Sequence, residues 1–248
     1  MAAGVDAKDD LPLPQLVTLH LLPGAVQMGA YAVFAPVLLR AGAPRMLAFL
    51  AAVLLAGLPC MVAILFWARR RGSLGQSPLR PVVGNRERMP VWQYAALYVP
   101  LLAIAFGLLF ATAPLNRFLA EQVFFWLPGY LQPEWQPPAP PARALVLLGM
   151  ALQVVIDGIA APVTEEVYFR GFLLRRMRSF GWLAPAVNAL LFAVQHFWQP
   201  YNWALIFLLT LPLAYVVWWK RNIYIGMLFH CSANTIGALV TLVGFLAS

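Results

Sequence analysis

The sequence predicts an all-α integral membrane protein, a helix bundle of about seven transmembrane segments. Three observations lead there. Of the 248 residues 62% are hydrophobic and only 10% charged, against about 25% charged in soluble domains. The charges are clustered, leaving 11–39, 46–68, 89–116, 179–219 and 222–248 free of them. Apolar/polar alternation at period 2 is absent, which argues against a membrane β-barrel. Hydrophobicity this high also excludes a disordered chain.

A helix needs about 20 mostly apolar residues to cross a bilayer core. The first three charge-free runs each supply one crossing, predicted at 15–39, 46–67 and 91–115. The stretch 144–163 is interrupted only by Asp157 and supplies a fourth. Gln199-Pro200-Tyr201-Asn202 divides the long run after Ser179 into 183–198 and 203–219, and 223–247 is the seventh. Residues 144–180 would measure about 55 Å as one helix, too long for a perpendicular crossing. Pro162 and Gly158 permit a kink, or a break that creates an eighth short helix. The chain reads as one membrane domain, with helices and a Pro-rich loop over 1–143 and a core over 144–248 that carries the polar motifs.

Lys and Arg in short loops set orientation. Loop 68–90 holds Arg69, Arg70, Arg71, Arg80, Arg86 and Arg88, and 171–182 holds Arg175, Arg176 and Arg178. These loops, with Lys220 and Arg221, are expected in the cytoplasm. Segment 116–143 balances its charges and is expected on the opposite side, with Trp126, Tyr130 and Trp135 near the interface. The first helix fits this scheme least well, because it places Arg40 and Arg45 outside and the acidic start inside. Met1 to Asp10 lacks the basic start of a secretory signal, so the first helix is expected to remain in the membrane. Topology and acidic lipid account for the net charge of +8, and no nucleic-acid partner follows from it. Cys60 and Cys231 lie in apolar helices and suggest packing rather than a disulfide framework.

Ionisable groups inside a membrane are costly and usually functional. Three clusters qualify: Glu165-Glu166 with Arg170, His196 with Phe192 one turn before it, and His230 with Asn234 one turn after it. Glu165 and His196 stand at nearly equal separations before and after Phe180, in the turn between two helices. That puts both roughly 22–24 Å from the turn, and His230 roughly 13 Å in from Arg221. Glu166 and Arg170, at i and i+4, can pair, which leaves Glu165 available. A carboxylate with a histidine can hold and deprotonate a water. His230 and Asn234 share a helix face and can offer two donors to an oxyanion. This set suits hydrolysis of an acyl or peptide bond. Glu165, His196 and His230 could also form a two-His-one-carboxylate zinc site, although the H-E-x-x-H spacing is absent. Asp157 and His20 have no companion motif and are read as structural.

Glu165-Glu166-x-x-x-Arg170, Phe192-x-x-x-His196 and His230-x-x-x-Asn234, in this order, resemble the motifs of the CPBP family. This is the CAAX protease and bacteriocin-processing (Abi) family of intramembrane proteases. Arg170-Gly171-Phe172-Leu173 is similar to it as well, and the resemblance covers about 165–234. It implies an endopeptidase acting on a membrane-associated protein or peptide, prenylated or carrying a leader. Glu165 and His196 would activate the water, His230 and Asn234 would form the oxyanion site, and Glu166 and Arg170 would support Glu165. The family has been described both as metalloproteases and as glutamate proteases. The metal-free route, with no cofactor, is favoured here over zinc. The expected location is a bacterial-type inner membrane, with the site opening toward the cytoplasm. The alternative is a non-hydrolytic transporter, or an immunity or scaffold protein, with a buried Glu-His network.

Overall fold

A computed structural model describes residues 10–70, 83–137 and 139–247. Arg71 and Arg80, and the part of the acidic start before Asp10, lie outside the described residues. Seven helical rods follow one another: α1 (Leu13–Arg40), α2 (Arg45–Arg70), α3 (Val91–Val123), α4 (Arg143–Arg176), α5 (Ala184–Val194), α6 (Trp203–Lys220) and α7 (Ile223–Ala247). All but α5 are long and apolar enough to cross a bilayer. No strand occurs among the described residues, so the protein is an all-α polytopic membrane bundle. Val33, Val37, Leu55, Phe110, Val240 and Val243 are more than 60% exposed, as expected where lipid replaces water.

The predicted crossing at 183–198 is replaced by something shorter. Helix α5 has 11 residues, about 16 Å, and the chain leaves helical geometry at His196. Helix α6 resumes only at Trp203. The connecting residues 195–202 therefore lie well inside the bundle, because α5 is too short to carry them to the far end. Gly24 of α1 makes room for this segment, since a methyl group there would overlap the Gln195 carbonyl.

Helix α4 is one continuous rod of 34 residues, and no eighth helix forms. Its excess length is accommodated by two wide π-helical segments, Ile156–Ala160 and Glu166–Leu173. The first has a clear cause. The Ala161 N–H bonds the Ile156 carbonyl, and Pro162, the next donor position, has no N–H. The Asp157 carbonyl is thus orphaned and accepts from Asn234 Nδ2 at 2.9 Å. The Gly158 carbonyl accepts from Thr235 Oγ1 at 3.3 Å. Helix α7 is thereby bonded to α4 along the stretch where α4 cannot satisfy itself.

At the Arg-rich end residues 84–87 are tied to α4 and to the turn between α6 and α7. Gly84 N–H donates to the Gly171 carbonyl at 2.8 Å, and Asn85 Nδ2 donates to the Arg170 carbonyl at 2.9 Å. Asn222 ties the turn between α6 and α7 to the Glu87 carbonyl at 2.7 Å. Below lie Tyr168, Phe169, Phe172 and Leu173 of α4, packed with Leu16, Met61 and Phe192. The first helix is placed as well. Asp10 accepts the backbone N–H groups of Arg178 and Ser179 at 3.0 and 2.6 Å, so α1 begins at the Arg-rich end. Arg40 and Arg45 accordingly sit at the other end with Arg117 and Arg143.

Candidate active site

The centre of the site is a buried chain of charges on α4 and α7. Glu166 and Arg170 are both 0% exposed and lie 3.4 Å apart, one helical turn from each other. His230 Nδ1 reaches Glu166 Oε1 at 3.1 Å. Glu166 is thus held from both sides. The Arg170 guanidinium stacks over Phe192 at 4.1 Å, a second attraction for its charge. Glu166 also fills a tight slot, because a methyl group at Gly226 would overlap its Oε2.

Glu165 is differently placed. Among the described residues its charged neighbour within ion-pair range is His230, with Nε2 3.7 Å from Oε2, and both side chains retain slight exposure. That separation exceeds a hydrogen bond, so Glu165 keeps its accepting capacity. The sequence led us to expect Glu166 paired with Arg170 and Glu165 available; in the structure Glu166 meets Arg170 and His230, and Glu165 lies 3.7 Å from His230. His230 bridges the two carboxylates, a contact that spacing alone did not suggest.

His196 approaches from the other side of Phe192. The phenyl ring lies 4.9 Å from His196 and 6.0 Å from His230, so both imidazoles flank one aromatic wall. The Nδ1–H of His196 donates to the Phe192 carbonyl at 2.7 Å, which leaves its Nε2 as an acceptor. Asn234 spends one amide proton on the Asp157 carbonyl and retains the second. Glu165, Glu166, Arg170 and His230 are therefore in direct contact, while His196 and Asn234 stand at the margin. Among the described residues no three His, Cys, Asp or Glu side chains are grouped to hold a metal.

Two features escaped the sequence reading. Asn188 is fully buried and donates to His20 Nε2 and to the Phe169 carbonyl, both at 3.0 Å. His20 in turn bonds the Leu16 carbonyl at 2.9 Å. The signal was present, since Asn188, Phe192 and His196 share one face at successive i+4 positions. Asn188→Leu strands a buried acceptor on His20 and another on Phe169, each worth about 1–3 kcal/mol. A lower melting temperature in detergent is expected, with partial recovery in His20→Phe/Asn188→Leu; an unchanged melting curve would show that the network carries no stability.

The second feature is a cavity of about 350 Å³ that includes His196 and Asp157 in its wall. Tyr31, Arg45, Gln153, Trp198 and Tyr201 line it too, with Tyr130 among them. Segment 124–135 roofs it: Tyr201 Oη donates to the Leu131 carbonyl at 3.1 Å, and Arg45 donates to Gln132 and Pro133 carbonyls at 2.5 and 2.9 Å. This space lies at the end opposite Arg175, Arg176 and Arg178.

Residues 144–236 match the family model described as Type II CAAX prenyl endopeptidase Rce1-like, in agreement with the family that the three motifs resemble. The matched span contains Glu165, Glu166, Arg170, His196, His230 and Asn234. At the level of the family the match supports an intramembrane endopeptidase, and with the apolar helices an integral membrane protein. No curated protein and no solved structure matches the chain.

Proposed function

We propose, with that family as the premise, that the protein hydrolyses a peptide bond of a membrane-associated protein using a water activated by Glu165. The observation that carries the proposal is the unequal treatment of the two adjacent carboxylates. Glu166 is locked between Arg170 and His230, whereas Glu165 has no hydrogen-bond partner among the described residues and faces His230 at 3.7 Å.

Glu165 takes a proton from the water as its oxygen attacks the carbonyl carbon, with His196 Nε2 accepting the water's other hydrogen bond. The oxyanion that forms is stabilised by the Nε2–H of His230, whose Nδ1 stays on Glu166, and by the second amide proton of Asn234. Glu165 then passes its proton to the leaving nitrogen, and the C–N bond breaks. Glu166 and Arg170 fix His230 and do not touch the substrate. In this reading α1 to α3 supply walls and roof around the core that begins at α4. The Arg-rich end is placed in the cytoplasm of a bacterial-type inner membrane. The substrate is a lipid-anchored or prenylated chain, as the family's name indicates.

The test uses purified protein in liposomes with a farnesylated peptide extended past its modified cysteine. Release of the C-terminal fragment, read by mass spectrometry, is expected. An intact peptide under conditions where the protein is folded would count against hydrolysis, and ion-dependent uptake by the same liposomes would favour a carrier. No step above is routed through zinc. Active protein is accordingly expected to hold well below one zinc per chain by elemental analysis and to keep its rate in chelator; stoichiometric zinc whose removal stops cleavage would replace this mechanism.

A further inference from the structure

We infer that Pro162 is a positioning residue for the reaction: by withholding a backbone N–H from α4 it leaves the Asp157 and Gly158 carbonyls open to α7, and so aims the Asn234 amide. This rests on the proposed hydrolysis and deepens it by naming what orients one of its oxyanion donors.

An N–H at position 162 would bond the carbonyl four residues back, Gly158, in an α-helix, or five back, Asp157, in a π turn. Proline has no N–H to give. The same two carbonyls are the ones that α7 occupies. Asn234 Nδ2 donates to Asp157 at 2.9 Å, and Thr235 Oγ1 donates to Gly158 at 3.3 Å. Consecutive residues of α7 thus stand in for one missing proton of α4. The Ala161 N–H could have served Asp157 at α-helical spacing, but it is bonded to the Ile156 carbonyl instead. Pro162 is buried, and α4 runs through it without a break, so the withheld proton, not a kink, is what it contributes.

The consequence falls on the site. A carbonyl accepts and cannot donate, so the NH₂ end of the Asn234 amide is the end that faces Asp157. With one proton fixed there, the side chain stops turning and its second proton has a single direction. Helix α7 is also registered on α4 one turn away, where His230 Nδ1 meets Glu166 at 3.1 Å. Between these anchors the helices are in close contact, since a Cβ on Gly158 would lie 2.8 Å from Thr235 Oγ1. Pro162 touches none of the reacting atoms and acts through Asn234.

Pro162→Ala restores the N–H with little change in bulk. The new donor competes for the Asp157 and Gly158 carbonyls and frees the Asn234 amide. The kcat for the farnesylated peptide is expected to fall about tenfold with KM unchanged, because an oxyanion donor acts on the transition state. Proline is the least favourable residue inside a helix, so the melting temperature is expected to hold or rise. An alanine-sized α-hydroxy acid at position 162, installed as a backbone ester by nonsense suppression, has the alanine side chain but no N–H. It is expected to keep the parent rate. A readout free of substrate comes from NMR of protein with isotope-labelled asparagine in nanodiscs, the Asn234 side-chain signal being assigned by its loss in Asn234→Asp. Those amide protons are expected to exchange faster with water in Pro162→Ala and at the parent rate in the ester. An unchanged kcat in Pro162→Ala, an equal loss in the ester, a lowered melting temperature, or an Asn234 signal indifferent to the substitution would overturn the inference. Faster Asn234 exchange in Pro162→Ala, beside a parent protein that cleaves nothing, would leave the placement of Asn234 standing and remove the hydrolysis.

Discussion

Glu165→Gln is expected to lower the rate of peptide cleavage by about 10²- to 10⁴-fold, the usual contribution of a general base, with little change in the melting temperature. The two halves of this expectation have separate causes. Glutamine keeps the shape and one acceptor oxygen but cannot take a proton from water. Stability is spared because, among the described residues, Glu165 makes no hydrogen bond and has a 3.7 Å approach to His230 to lose. The measurement pairs cleavage kinetics with a thermal melt in the same detergent. A folded variant cleaving at the original rate would remove Glu165 from the mechanism. The comparison with Glu166→Gln sharpens the assignment: that carboxylate meets both Arg170 and His230, so its loss lowers stability and activity together.

Arg170→Met is expected to have the largest effect on folding. Removing one partner of a buried ion pair costs about 3–5 kcal/mol, because the remaining charge is left without compensation. Arg170 and Glu166 are both fully buried, and the guanidinium also loses its seat over Phe192. The variant is expected to accumulate poorly in membranes and to melt far below the parent. Glu166→Gln/Arg170→Met removes the stranded carboxylate and is expected to recover a large part of the stability without recovering activity, since His230 loses its anchor. If the single variant melts like the parent, or the double variant is worse than the single, the pair does not have the energetic role assigned to it.

The bundle and its motif residues were legible in the sequence for a simple reason. Charges are excluded from lipid, so charge-free runs mark α1, α2, α3, α6 and α7 directly, and the few charges within apolar stretches mark Glu165, Glu166 and Arg170. Helix α5 was misjudged because 183–198 is apolar throughout. Nothing in its hydropathy shows that the helix stops after 11 residues and that the chain turns back inside the bundle. The π segments of α4 were hidden for another reason. Pro162 and Gly158 suggested a kink, whereas Asn234 and Thr235, far along the chain, supply the hydrogen bonds that let α4 widen instead of breaking. The cavity was the least visible feature. Its wall is drawn from Tyr31, Arg45, Tyr130, Asp157 and His196, residues on five separate segments with no shared spacing. Asn188 lies between these cases: its spacing with His196 was readable, but its partner His20 sits on α1.

The most direct test of the central claim, that this protein is a protease acting through Glu165, needs no prior choice of substrate. Membrane and secreted proteins from cells carrying the unaltered protein or Glu165→Ala would be compared for their N- and C-termini by mass spectrometry, with equal accumulation of the two forms confirmed. The account predicts at least one protein that is shortened in the first cells and intact in the second. Identical sets of termini, with both forms present at the same level in the membrane, would contradict it.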